Sequence, residues 1–258
     1  TVTRAELEAQ PPAQQKLRDN MIEFNFDSIA WRRDVSQADL LRLRRHYAAN
    51  VSMIDHQVGR ILAALDARGY LDNALVVFTS DHADALGEHG HIQKWTMYDS
   101  VVRVPLLFWS RNLPIERGSR DDLVQLFDVA PTILESAGVS VPADFEAQSL
   151  WGALSGRADH QPRDAVYAEL ARDHIQTGSE FILMRRDRRW KIVLYLDDAA
   201  GELYDLQADP GERNNLWHEE SLRATRDDLS TTCMAWLARG SLFANRRASR
   251  APQQAMKI

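Results

Sequence analysis

Apolar residues recur at spacings of three and four through Leu40, Leu43, Tyr47, Val51, Ile54, Val58, Ile61, Leu62 and Leu65. That is the repeat of one face of a long α-helix. Ser36 with Asp39 three residues on reads as its N-cap, and Gly69 as its C-terminal stop. The pattern then changes to two short, continuous apolar runs, ALVVFTS at 74–80 and VPLLFW at 104–109. Runs of this length, rich in β-branched residues, read as strands buried on both faces, and Pro105 suits a strand start. Helix, buried strand, loop and buried strand together predict a doubly wound, mostly parallel α/β sheet sandwiched by helices. A further helix is predicted over 129–137, with Asp128 as its N-cap, Pro131 in its first turn and Gly138 ending it.

After Gly156 the texture shifts to short apolar segments joined by charged turns: VYAE at 166–169, FILM at 181–184, KIVLY at 191–195 and ELYDL at 202–206. Consecutive short strands favour an antiparallel sheet. A closing helix is expected over 221–238, with Leu222, Leu229, Met234 and Leu237 on its apolar face. The first 30 residues are polar, carry Pro11-Pro12, and read as a peripheral arm or loop. The expected division is therefore an α/β part over 1–155 and a small α+β subdomain over 156–258.

Composition narrows the functional classes. Hydrophobic residues make up 45% of the 258 and charged residues 26%, values of a globular chain. With 31 basic residues against 37 acidic ones the net charge is -6, which gives no footprint for nucleic acid or for an anionic membrane surface. No apolar run approaches the roughly 20 residues of a spanning helix, and the opening TVTRAELEAQPPAQQ has no apolar signal-peptide core. Cys233 is the only cysteine, so an intramolecular disulfide and a cysteine-based zinc site are excluded within these residues. It lies on a predicted apolar helix face and reads as packing rather than as a nucleophile. The chain has no Gly-x-Ser-x-Gly elbow, phosphate-binding loop or dinucleotide fingerprint.

The densest polar cluster, SDHADALGEHGHIQK at 80–94, follows directly on the first predicted strand. In open α/β sheets ligands bind at the carboxyl ends of strands. Asp81 and His82 would sit at that end, as a hard oxygen donor and an imidazole nitrogen donor to a metal ion. Lys94 would bring a positive charge to the same mouth, suited to binding and polarising a tetrahedral oxyanion. A solvated, charged loop is the other reading of these residues, and a metal site needs further ligands from elsewhere.

SDHADALGEHG at 80–90, then Lys94, then YDSVVRVPLL at 98–107, resembles the second metal-ligand segment of the sulfatase family, within the alkaline phosphatase superfamily. Ile54-Asp55 and Val58-Gly59 on the upstream helix, FDVAPTIL at 127–134 and ELYDLQADPGERNNL at 202–216 are similar to further family segments, in the same order. The Asp-His pair resembles choline-sulfatase-like and iduronate-sulfatase-like members and the phosphonate monoester hydrolases. The resemblance implies that Asp81 and His82 are two ligands of one divalent cation, calcium first, with manganese or magnesium as alternatives. It implies that Lys94 contacts the sulfate and helps neutralise the leaving oxygen. Asp99 and Arg103 are expected to be structural, as an ion pair holding the loop. His89 is expected either to line the substrate pocket or to pack within the loop.

The family's nucleophile is a formylglycine made in a Cys/Ser-x-Pro-x-Arg motif, which these 258 residues do not contain. The family's N-terminal aspartate ligands and a catalytic histidine are also absent. The chain thus resembles the C-terminal half of a sulfatase-like enzyme, with the formylglycine expected in an N-terminal half. The implied function is hydrolysis of a small-molecule sulfate ester. The alternatives are hydrolysis of phosphonate monoesters or phosphodiesters on the same scaffold, or a catalytically incomplete fragment or interaction module. A sheet without its N-terminal strands would expose edges and apolar faces, so an N-terminal half, another chain or a homo-oligomer is expected to complete it.

Overall fold

The structure is a computed structural model that describes residues 2–24, 35–158, 160–171, 179–196 and 198–250. The chain opens with two helices, α1 (Arg4–Glu8) and α2 (Pro12–Phe24). The long α3 (Gln37–Asp66) follows, and its N-cap is Ser36, whose Oγ accepts from the Asp39 amide at 3.1 Å. Then come β1 (Val76–Thr79), α4 (Asp99–Val102), β2 (Leu106–Trp109), α5 (Val129–Ser136) and α6 (Trp151–Leu154). Four strands follow, β3 (Val166–Ala171), β4 (Phe181–Arg186), β5 (Trp190–Tyr195) and β6 (Glu202–Asp205), and α7 (Arg223–Arg250) closes the described chain. The fold is α/β with a small antiparallel sheet in the C-terminal region. No helix among the described residues is long and apolar enough to cross a membrane.

The second sheet is an antiparallel meander in the order β3-β4-β5-β6, as the short runs predict. Its two faces carry different cores. Leu183, Ile192 and Leu203 pack with Leu229 and Cys233 of α7. Ile182, Met184, Val193 and Tyr195 meet Met97 and Ala13 on the opposite face. Residues from both sides of the expected division near 155 therefore share one core.

Three expectations change. The first 24 residues are not an arm or loop: Ala13, Leu17 and Met21 recur every four residues along α2 and are buried, as is Gln14. The part of that expectation that falls on 25–30 lies outside the described residues. Secondly, β1 and β2 pair with each other antiparallel, Val76 opposite Trp109 and Thr79 opposite Leu106. Neither is buried on both faces: Phe78, Leu107 and Trp109 are about half exposed. The apolar face of α3 is likewise present but uncovered, with Val51, Ile54 and Ile61 more than half exposed and no α3 residue buried. The accessible surface, 16611 Å², is well above the ~11,500 Å² of a compact chain of this size. Thirdly, Asp128 precedes α5 as expected, but its side chain does not cap that helix. It is fully buried and accepts from the amides of Gln125 and Gln148 and from Arg163.

The sheet is joined to the segment after Lys94 by a buried ion cluster. Lys191 of β5 is fully buried, donates to the Met97 carbonyl at 3.0 Å and to Asp99 Oδ1 at 2.5 Å, and pairs with Glu212. Arg186 of β4 approaches the same Asp99 carboxylate at 3.2 Å. Burial works to raise the Asp99 pKa, but Lys191 and Arg186 together bring it below its ordinary value. The partners of Asp99 are therefore these two residues and not Arg103. Breaking a buried pair by deleting one member leaves an uncompensated charge at a cost of about 3–5 kcal/mol. Lys191→Met is expected to destabilise the intact protein by that order in equilibrium urea denaturation, and adding Glu212→Gln to recover part of it. A loss below ~1 kcal/mol would mean that the cluster is not held as described.

Candidate active site

β1 ends at Thr79, whose Oγ1 donates to the Pro105 carbonyl at 2.8 Å, fastening the strand end to the start of β2. The chain then turns sharply. Ser80 Oγ donates to the His82 carbonyl at 2.9 Å, the His82 amide to Asp81 Oδ1 at 2.9 Å, and the Ala83 amide to the Val101 carbonyl at 2.8 Å. These bonds leave Asp81 and His82 side by side at the carboxyl end of β1, with Asp81 Oδ2 3.4 Å from His82 Nε2. The chain returns after a loop to place Lys94 Nζ 3.1 Å from the same Nε2. His82 Nδ1 lies 3.0 Å from the Ala83 carbonyl, which can only accept, so the ring proton sits on Nδ1 and the Nε2 lone pair faces Lys94. The bond from the His82 amide, aided by the nearby charge of Lys94, holds the exposed Asp81 carboxyl below its ordinary pKa.

Asp81, His82 and Lys94 are thus brought together at one mouth. A carboxylate oxygen beside an imidazole nitrogen, whose lone pair here faces Lys94, is a donor pair of the kind that suits a divalent cation. Such an ion needs more ligands than two, and no group of three or more His, Cys, Asp or Glu side chains converges among the described residues.

His89 has different company. It is buried, with its ring stacked on Tyr98 at 3.7 Å between centroids and its Nδ1 3.3 Å from Glu6 Oε1 of α1. Burial lowers its pKa despite the neighbouring Glu6. Tyr98 Oη in turn donates to Gln14 of α2 at 2.9 Å. Gln14 Nε2 donates to Glu202 Oε1 at 2.8 Å, and Glu202 also accepts from Tyr195 and Tyr204. The loop bearing Lys94 is therefore backed by α1, α2 and the second sheet. The sequence reading did not single out Gln14, Tyr98, Lys191 or Glu212. A lysine inside the otherwise apolar run KIVLY was the one available signal for this layer.

Comparison with known proteins covers the region that carries these residues. The chain matches the family model described as Sulfatase over residues 5–139 and the model described as N-sulphoglucosamine sulphohydrolase, C-terminal, over residues 87–237. It is 35% identical to an N-acetylglucosamine-6-O-sulfatase of Bacteroides thetaiotaomicron over 72% of this chain and 34% of that one. A phosphonate monoester hydrolase of Agrobacterium radiobacter superposes with a TM-score of 0.71 at 26% identity, covering 80% of this chain and 43% of that one. A protein solved in complex with its substrate D-glucosamine-2-N,6-O-disulfate superposes with a TM-score of 0.66 at 25% identity, over 96% of this chain and 50% of that one. The chain spans between a third and a half of the length of these relatives.

His91, two residues beyond His89, is fully buried, and neither ring nitrogen has a hydrogen-bond partner among the described residues. Burial, with Arg18 and His89 nearby, lowers its pKa to about 3. Between that value and the ordinary 6.5 the unfolded chain binds a proton that the folded chain refuses. Its contribution to stability is therefore intact above pH 6.5 and falls as pH drops, by on the order of 1 kcal/mol per pH unit. Urea midpoints of the intact protein between pH 7 and 5 should show this fall, and His91→Leu should flatten it. An equal fall in both proteins would place the acid sensitivity elsewhere.

Proposed function

The chain belongs to the sulfatase family, and on that premise we propose that it forms part of a metal-dependent sulfuric ester hydrolase acting on a small sulfated molecule. The observation that carries this reading is the convergence of Lys94 and Asp81 on His82 Nε2 at the end of β1. A substrate sulfate entering this mouth meets the Lys94 ammonium, which binds a sulfate oxygen and offsets the negative charge that builds on the leaving oxygen. Asp81 is ionised across the neutral range, and His82, protonated on Nδ1, presents a lone pair. Asp81 and His82 would hold a divalent cation as two of its ligands, calcium being the first choice. When bound, that cation supplies Lewis-acid polarisation, and a formylglycine outside these residues supplies the nucleophile. The sulfated sugars named for the relatives support a sulfated small molecule as the substrate class.

A second reading keeps the scaffold and exchanges the substrate for a phosphonate monoester or phosphodiester. The likeness to the Agrobacterium enzyme supports it. Both substrate types present tetrahedral oxyanions to Lys94, so the charge at the reacting centre and the shape of the pocket decide between them.

The uncovered faces of α3 and of the β1–β2 sheet support a further part of the proposal. Polypeptide equivalent to the remainder of the relatives covers these faces and supplies the remaining cation ligands. A third reading follows for the 258 residues alone, as a catalytically incomplete module.

In the longer protein, Lys94→Ala is expected to lower kcat on a sulfate monoester by about 10²- to 10³-fold, and exhaustive chelation to abolish turnover. Retention of full activity after either treatment rejects the mechanism. Comparing kcat/KM for a sulfate monoester and a phosphonate monoester separates the first two readings. Residues 1–258 expressed alone are expected to bind a hydrophobic dye and to cleave neither ester. Turnover by that chain would show that its site is complete.

A further inference from the structure

The segment from His82 to Trp95 is folded in a costly way. Leu86, His89, Gln93 and Trp95 all have positive φ, at 49°, 51°, 65° and 76°. Side chains other than glycine disfavour this left-handed region. Two of these residues, Gln93 and Trp95, flank Lys94 directly. Lysine has four rotatable carbons, so its amine stays near His82 only if the backbone beneath it is fixed.

The group that fixes it is the Asp84 carboxylate. Oδ1 accepts from the Leu86 amide at 2.8 Å and from the Gln93 amide at 2.9 Å. One oxygen thus ties the departing and returning limbs of the loop together. The Ala85 amide donates to the Gln93 carbonyl at 2.8 Å, and the Gly87 amide to the His91 carbonyl at 2.8 Å, closing the neck further up. Asp84 is partly buried, lies two residues after His82, and has no ion-pair partner among the described residues. We propose that Asp84 is a positioning residue: it holds the left-handed turn before Lys94 and so sets the Lys94 amine against His82. The proposal rests on the reading that Lys94 acts on the substrate.

The role is one of acceptor geometry and not of charge, which makes it separable. Asp84→Asn keeps a carbonyl oxygen able to accept the same two amides. Asp84→Ala removes it, and Asp84→Glu carries the oxygen one methylene further out. In the longer protein, Asp84→Ala is expected to lower kcat on a sulfate monoester at least tenfold with KM changed by less than threefold. Asp84→Asn should stay within about threefold of the parent. The decisive arm is a double-mutant cycle. If Asp84 acts through Lys94, Asp84→Ala should cost nothing further in a Lys94→Ala background, whereas a purely structural contribution would multiply.

A readout independent of turnover accompanies this. Amide hydrogen exchange at Leu86 and Gln93 should speed up at least tenfold in Asp84→Ala and remain near parental in Asp84→Asn. Should Asp84→Ala not fold, Asp84→Glu takes its place with the same expectations. Multiplicative losses in the cycle, an Asp84→Asn as impaired as Asp84→Ala, or unchanged exchange at Gln93 would each overturn the proposal. A longer protein that cleaves no sulfate or phosphonate ester would reject the hydrolase reading. The exchange arm would still report whether Asp84 holds the turn.

Discussion

A lysine ammonium with no access to water is tolerated only where several acceptors surround it, and Lys191 has three: the Met97 carbonyl, Asp99 and Glu212. This requirement dictates much else. It fixes where the chain must run after Lys94, because Met97 and Asp99 have to arrive at β5. It also fixes the position of the turn containing Glu212, a residue at positive φ whose Oε2 accepts from the Asp99 amide. The start of α4, and through Val101 the backbone of Ala83, are therefore registered against the second sheet. The mouth formed by Asp81, His82 and Lys94 on one sheet is held in place by charge buried beside the other.

A second polar layer repeats the logic with hydrogen bonds in place of charge pairs. Glu202 is buried, and burial raises its pKa, while Tyr195, Tyr204 and Gln14 satisfy its oxygens. Burial likewise pushes the phenol of Tyr195 well above its usual range, so the tyrosine stays a donor. Networks of this kind favour one arrangement over near alternatives, because any shift strands a polar atom in a low dielectric. The stack of His89 on Tyr98 extends this layer to the loop around Asp84, which gives a strained turn a rigid floor.

What could be read from the sequence divides along physical lines. α3, β1, β2, α5 and the four strands of the second sheet were legible because each announces itself within a window of ten to thirty residues, by period or by run length. The juxtaposition of Asp81 and His82 was legible for the same reason, since both follow one strand end. Lys94 was placed at the same mouth because it lies in the same dense polar cluster, and the family resemblance added a role for it. α2 was overlooked although Ala13, Leu17 and Met21 carry its period; the polar residues between them and the two prolines masked it. The ion cluster was not legible at all. Asp99 and Lys191 are 92 positions apart, and no local rule pairs them; nearby Arg103 offered itself as the partner instead. Strand burial was misjudged for a different reason. Continuous apolar runs report what a segment is built to be covered by, not what covers it within 258 residues.

Cys233 offers a practical corollary. It is wholly enclosed between α7 and the sheet, and burial pushes its thiol up to about 11, so it is sluggish toward alkylating reagents at neutral pH. As the only cysteine of these residues, it leaves their surface without a competing thiol. A cysteine introduced at an exposed position could therefore carry a spin label or fluorophore as the single reporter within this region. Distances from the loop to the uncovered helix could then be followed spectroscopically without first rebuilding the background.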